Sequence, residues 1–512
     1  METVTSQGSA GPRAGLRTAL WYQRCDRVSG VVLGASLVFA PWAFGGTPPW
    51  AIWTLNGAGY LLGLLLGVKL IIRGITGFQP VRWDTRNSDD ARSARWDRAW
   101  VCSMAALTVL ILLYCGVAAW NARAEYDPDL GVFHYRDYIR WLPHSYDASR
   151  SWQMFATAVA LACYFWAARD WLLGKTMADR RDLHRDGAAD RPGLLLPQRF
   201  RILLGLLSIN GALLATEAVA QRLSGTDKLL WLVRPRLNAI PEAQLGPFNY
   251  RSNGAQYLNL VWPVTLGLWW RLHRMRSLRS AAPDRRPARW KRRAHHLLLP
   301  AAGWMAATSV FSLSRGGAVV ALGSMLALIG VFWTAWRERR AWVRLSFLAF
   351  LALFGALGLW LGGEQLGKRF EEFDLGLVQR ETMYQTARQI ASDYPWYGTG
   401  PGTLGPVFQL YRKGTEEYWP AQLHNDWLEI RVTWGRIGMA LLLLAFGLAA
   451  GRVFLPGGVP TSWRLPWVFW IALGGCLLHA RWDFPLQVYS LQHLTMVYCA
   501  ALACLSHRRW AI

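Results

Sequence analysis

His296–Trp336 reads HLLLPAAGWMAATSVFSLSRGGAVVALGSMLALIGVFWTAW, and the length of these 41 residues decides the fold. As one helix they would run about 62 Å, roughly twice the ~30 Å hydrocarbon thickness of a bilayer. The segment must therefore fold back on itself. Its polar break, Ser312-Leu313-Ser314-Arg315-Gly316-Gly317, marks the turn. Working outward, apolar runs of single-span length recur near 30–46, 51–72, 99–120, 151–169, 202–221, 254–271, 295–313, 317–336, 345–362, 436–455, 466–480 and 487–506. The chain is 53% hydrophobic despite a net charge of +24, which excludes a soluble globular protein and predicts an all-α polytopic membrane protein of about 12 transmembrane helices.

Charge asymmetry orients the spans. With a cytoplasmic N-terminus, the cytoplasmic segments and their flanks carry 37 of the 56 Lys and Arg, ten of them in 271–293 alone. This is the positive-inside pattern, and it predicts that both termini are cytoplasmic. The basic loops are thereby accounted for as topology signals, so no nucleic-acid partner is expected. The resulting organisation is a cytoplasmic tail at 1–29, transmembrane helices 1–9 over 30–362, a large external loop at 363–435, transmembrane helices 10–12 over 436–506 and a short tail at 507–512. The N-terminus is polar and basic without an apolar core, unlike a cleavable signal. All seven cysteines fall in spans or the N-terminal flank, so no disulfide framework is expected outside. There is no CxxC pair and no His/Cys metal spacing, and neither metal nor cofactor is expected. Many of the 31 tryptophans sit at span ends, as an interfacial belt does.

The loop 363–435 is long for a compact protein, a length that goes with function or disorder. Its helical runs at 370–395 and 422–434 and its aromatic residues predict a folded cap. In it, His424 stands beside Asn425 and Asp426, about twenty residues after the GTGPG turn at 398–402. An imidazole titrates near neutrality, so a positioned His424 could act as general base, with Asp426 or Glu429 to orient it. The bland alternative is a histidine bonded to the loop backbone. GTGPG reads as an anion nest or, more commonly for Gly and Pro, a plain turn. Arg315 at the hairpin tip, Arg251 at the mouth of another span, and Arg380 and Arg388 entering the loop on one helix are candidates for phosphate binding. A guanidinium offers a fixed fork of donors and stays charged. Pairing with Glu371, Glu372 or Glu381, or snorkelling to headgroups, is the structural alternative. Glu217 is an acid inside a span near its external end, either functional or paired with Arg222. Arg481 and Asp483, in a very short external turn, read as a helix-end ion pair.

Four pieces now carry a resemblance: LGPFNYRSNGAQYL at 245–258, FSLSRGGAVVAL at 311–322, DYPWYGTGPGTLG with LHNDWLEIRVTWGRIGM across 393–439, and DFPLQ at 483–487. In this order and placement they resemble the O-antigen ligase and O-antigen polymerase family of bacterial inner-membrane glycosyltransferases. The resemblance covers roughly 200–506. Where that family has an Asn-His pair in the first motif, this chain has Ser252-Asn253-Gly254, so that histidine has no counterpart there. The resemblance implies a C-type glycosyltransferase-like fold with a periplasmic site and transfer of a glycan from undecaprenyl pyrophosphate. The acceptor would be a hydroxyl on a glycan, lipid A core or protein, and neither nucleotide sugar nor metal would take part. It implies that Arg315 and Arg251 bind the pyrophosphate, with Arg380 and Arg388 as weaker counterparts, and that His424 is the base. Two other classes compete. A lipid-glycan transporter or flippase would place polar breaks in mid-span, and a scaffold without catalysis leaves the HND and SRGG pieces unexplained. A protein O-oligosaccharyltransferase is the nearest enzymatic alternative.

Overall fold

The computed structural model describes residues 12–84, 91–185, 196–279, 294–333, 373–411, 421–454 and 464–505, with 352, 355 and 356 besides. Among these residues it is an all-α membrane protein with one exception, a short β-hairpin of β1 (Ala124–Asp127) and β2 (Val132–Tyr135). The helices are α1 (Pro12–Trp42), α2 (Pro49–Thr76), α3 (Ala91–Trp120), α4 (Ala148–Leu173), the short α5 (Met177–Arg185), α6 (Gln198–Leu223) and α7 (Arg251–Arg279). After them come α8 (Leu298–Phe311), α9 (Arg315–Trp333), α10 (Phe373–Asp393), α11 (Leu404–Leu410), α12 (Asp426–Thr433), α13 (Gly435–Gly451), α14 (Leu465–His479) and α15 (Tyr489–Leu505).

Among the described residues, five helices are long and apolar enough to cross a membrane: α2, α3 from Arg95, α6, α9, and α13 extended to Phe454. The apolar α14 and α15 are shorter. The long helices α1, α4 and α7 and the 14-residue α8 coincide with other expected spans. The expected span 345–362 lies outside the described residues apart from three positions. Helix α1 begins at Pro12, inside the segment read as a tail.

The fold-back between α8 and α9 occupies Ser312-Leu313-Ser314. Leu313 takes a left-handed φ of +62°, unusual for a side chain with a Cβ. Two serines hold the reversal. Ser312 Oγ accepts from Ser314 N at 3.1 Å, and Ser314 Oγ accepts from Gly317 N at 3.0 Å, satisfying an amide of the first turn of α9.

Helix α7 is the axle of the bundle. Residues 252–271 are buried without a break, the polar Asn253, Gln256 and Asn259 included, and α6, α8, α9 and α14 pack around them. At the end of the bundle away from the loops, a buried ion cluster ties four helices. Asp170 of α4 meets Lys69 at 2.6 Å, Arg73 at 2.8 Å and Arg82 at 2.5 Å, while Asp26 of α1 takes Lys69 and Arg199 of α6.

A second, smaller core lies at the loop end. Tyr146 joins Ala387, Ile390, Leu404, Val407, Leu423 and Val432, so the loop before α4 and the large loop share one interior. The GTGPG turn threads between them. Thr399 N and Gly400 N donate to Val432 O and Thr433 O at 2.9 and 3.0 Å, and Tyr146 N donates to Thr399 O at 2.9 Å. A Cβ on Gly398 would fall 2.5 Å from the Thr433 carbonyl carbon, and one on Gly400 2.5 Å from Ser145 Oγ. Close backbone approach is therefore what these glycines provide. Because the Thr399 and Gly400 amides are taken by carbonyls, this turn is not the anion nest that the sequence left open.

Candidate active site

Helix α12 begins just after His424. Asn425 caps it, its side-chain oxygen accepting from Leu428 N at 3.1 Å, and this forces the chain to turn sharply at His424, whose φ is +50°. The Tyr384 hydroxyl on α10 donates to His424 O at 3.0 Å and fixes the strained residue from the other side. The imidazole stands edge-on to Phe484 at 4.8 Å and to Tyr250 at 5.7 Å, and those two rings stack on each other at 5.1 Å. The ring is thus held in an aromatic slot with 20% of its side chain exposed.

Its polar partner is Asp483. His424 Nδ1 lies 3.1 Å from Asp483 Oδ1, in the turn between α14 and α15. This corrects two expectations. Asp483 does not make a helix-end ion pair with Arg481, and Arg481 makes no ion pair among the described residues. Asp426 and Glu429 do not orient His424 either. Asp426 binds the turn that holds Asp483, its amide donating to Ala480 O at 2.9 Å and its Oδ2 accepting from Leu486 N at 2.7 Å. Glu429 accepts from Leu423 N at 3.0 Å. Burial, with each other's charge nearby for Asp426, raises both carboxyls. Asp426 goes well above its ordinary range, and Glu429 rises to about 7 against the pull of the Leu423 amide. Spacing along one helix cannot reveal this partner, which lies 59 residues away and is brought in by tertiary packing.

Asp483 is the hub of a buried network. Ser252 Oγ donates to its Oδ2, Tyr250 Oη to the same oxygen at 3.3 Å, and Phe484 N to Oδ1 at 3.0 Å. Ser252 also meets Ser314 Oγ at 2.9 Å and His479 Nε2 at 3.0 Å, and His479 Nδ1 lies 2.8 Å from Gln256 Oε1. Burial alone would raise Asp483, but the hydrogen bond from His424, both nearby histidines and Ser252 hold it down to about 2, so it is a carboxylate at any working pH. Gly316 leaves the space for His479, since a Cβ there would come within 2.5 Å of Nε2. Tyr250, Ser252, His479 and Asp483 were not singled out together in the sequence. Ser252 and Asp483 do stand in two of the quoted motifs, and the available signal was that both motifs end spans at the loop side.

Arginines surround the pair unequally. Arg380 Nη1 donates to Trp482 O at 3.0 Å, one residue from Asp483. The buried Tyr250 hydroxyl, pushed up by burial and Asp483, feels Arg380 and Arg251 in the opposite sense. Tyr384, raised by burial, feels Arg380 and Arg481 likewise. Arg251 Nη1 donates to Glu242 O at 2.6 Å, which sets it at the mouth of α7. Arg315 opens α9 between two residues of the network, Ser314 against Ser252 and Gly316 against His479. Arg388 is different. It shares α10 with Arg380, but it is exposed and pairs with Glu381 at 2.7 Å, which is the structural alternative considered for it.

Glu217 is not part of the network. Both its carboxylate oxygens are buried without a hydrogen-bond partner, and Arg222 donates instead to Gln244 O. Gly246, in the turn leading to Tyr250, lies against the carboxylate, which a Cβ there would approach to 2.5 Å. The other loop histidines are elsewhere. His134 is exposed on β2, and His144 packs by Tyr138 and Tyr397, with burial lowering its pKa.

Beside α12 lies an apolar cavity of about 470 Å³ between α3, α4, α13 and α15. Trp427 and Ile430 of α12 line one end, and Leu161, Phe165, Phe446 and Met496 line its length.

Residues 300–443 match the family model described as O-antigen ligase. The match spans 144 of the 512 residues and supports membership of the O-antigen ligase family. The matched segment holds Arg315, Arg380 and His424, whereas Tyr250, Ser252 and Asp483 come from outside it. A search of curated proteins finds no match.

Proposed function

We propose that this chain is a glycosyltransferase of the O-antigen ligase family that moves a glycan from undecaprenyl pyrophosphate to an acceptor hydroxyl, using His424 as general base. The observation that carries the reading is the His424–Asp483 pair set among Arg251, Arg380 and Arg481. With Nδ1–H donating to Asp483, the lone pair of Nε2 is left to take the acceptor proton. The acceptor oxygen then bonds to the anomeric carbon as the carbon–phosphate oxygen bond breaks, with inversion of configuration. The departing pyrophosphate carries the electron pair, and Arg315 and Arg251, with Arg380, neutralise it. Asp483 stabilises the imidazolium formed. Ser252, Tyr250 and His479 act as positioning residues that hold Asp483. The apolar cavity supports a lipid-linked donor, since a polyprenyl chain needs apolar walls beside the reacting end.

The chain in this reading crosses the inner membrane about twelve times with both termini cytoplasmic. The loop 363–435 closes a periplasmic site. A reporter fused after Arg380 is then extracytoplasmic and one fused after Arg286 cytoplasmic, and the opposite result at either position overturns the orientation. The direct test is purified chain with a lipid-linked glycan and an acceptor. Release of undecaprenyl pyrophosphate with an inverted linkage supports the scheme, whereas a product retaining the donor configuration, or no consumption by folded protein, rejects it. Lipid-linked single repeats as acceptor identify a polymerase, and lipid A core identifies a ligase.

A further inference from the structure

At the end of α7 away from His424, His273 faces His295 and His296, which lie in the short 3₁₀ turn Ala294–Leu297 before α8. One ring nitrogen from each of the three lies within 4.8 Å of the other two. The ring centroids are 4.0 Å apart for His295 and His296, and 5.8 and 5.7 Å from these to His273. His273 and His295 stand 22 positions apart, outside the spacing patterns by which metal ligands are recognised in sequence.

We propose that His273, His295 and His296 form a binding site for a divalent transition metal, three imidazole nitrogens with the remaining position left to water. Three histidines with an open position are a known donor set for zinc, and imidazole suits nickel and copper as well. Tetrahedral zinc with Zn–N bonds of about 2.05 Å sets its nitrogens ~3.4 Å apart, so these must close by ~1.4 Å at most, within reach of side-chain rotation. Trp269 Nε1 donates to His296 Nδ1 at 3.5 Å, the outer limit of such a bond, and this nitrogen yields it at little cost. The three residues also span two elements that matter. Helix α7 carries Tyr250 and Ser252 at its other end, and α8 leads through Ser312–Ser314 to Arg315. A metal here pins the far ends of both helices in register.

The test uses the tag-free full chain in detergent, stripped with chelator and titrated with zinc in competition with a chromophoric chelator. Wild type takes up one zinc that raises its melting temperature. His273→Ala, His295→Ala and His296→Ala each lose affinity by about tenfold or more, at least what removing even a supporting group costs a metal site. His296 is exposed, so its replacement leaves packing intact and zinc loss there cannot be ascribed to misfolding. No zinc uptake by folded wild type, or equal uptake by wild type and His296→Ala, overturns the proposal.

Discussion

At one end of α7, Tyr250 and Ser252 buttress Asp483, which holds His424. At the other end, about 32 Å away along 21 residues of helix, His273 faces His295 and His296. The same side chain is put to different use by its neighbours. An imidazole that donates Nδ1–H to a buried carboxylate has its tautomer fixed and keeps the Nε2 lone pair as an acceptor. Imidazoles grouped together offer converging lone pairs instead, which suit a Lewis acid better than a proton. What separates the two ends is therefore the partner each histidine finds in the fold.

That contrast breaks most sharply under substitution. His424→Ala lowers glycan transfer by roughly 10²–10⁴-fold while donor lipid still binds, because no phosphate contact is lost. Joint replacement of His273, His295 and His296 by Ala, assayed at matched folded protein, leaves transfer within about threefold in chelator-treated buffer. Transfer by His424→Ala at near wild-type rate would make the two ends equivalent and end the general-base assignment. Asp483→Asn keeps the shape but removes the charge that steadies the imidazolium, and transfer falls by about 10²-fold. A positioning role also flattens the pH–rate profile, which a loss of folding alone does not. Arg315→Ala lowers both donor binding and turnover by about 10–100-fold, and Arg315→Lys recovers only part, because an ammonium lacks the two-point contact.

The loop that carries His424 supplies a stability test. Burial raises Glu429 to about 7 from an unfolded value near 4.5. A raised carboxyl contributes stability that is complete below the unfolded value and is lost as pH rises through the folded one, here about 3 kcal/mol. Loop protease resistance therefore falls between about pH 5 and 8. Glu429→Gln retains the acceptor for the Leu423 amide and lessens this fall, Asp426 supplying what remains. The smallest effect belongs to Arg388→Ala. Its exposed pair with Glu381 contributes under about 1 kcal/mol, and transfer changes by less than about fivefold. A loss as large as that of Arg315→Ala would place Arg388 at the substrate.

Much of the fold was legible because bilayer thickness converts apolar length into spans, and the reversal at Ser312–Ser314 follows from length alone. The positions of His424 and Arg315 at the loop end were legible because rare polar residues crowd the ends of apolar runs. The partner of His424 was not, since helical spacing points to Asp426 and Glu429 while the interacting carboxylate arrives from the turn at 483. Arg380 and Arg388 look equivalent along the sequence and differ only once Glu381 is seen to claim one of them. The hairpin β1–β2 was missed because a four-residue strand leaves too short an alternation to read. The trio at the far end of α7 was missed for the reason Asp483 was: packing, not spacing, brings it together.

The lock between Asp426 and the turn Ala480–Leu486 has a consequence for biogenesis. A ribosome adding about 5–20 residues per second needs roughly 3–12 s to travel from His424 to Asp483. During that interval the arginines and the histidine are already made, but the histidine has no carboxylate and its loop has no anchor. The last helical hairpin completes the pair, so a nascent or truncated chain carries His424 without the carboxylate that fixes its ring.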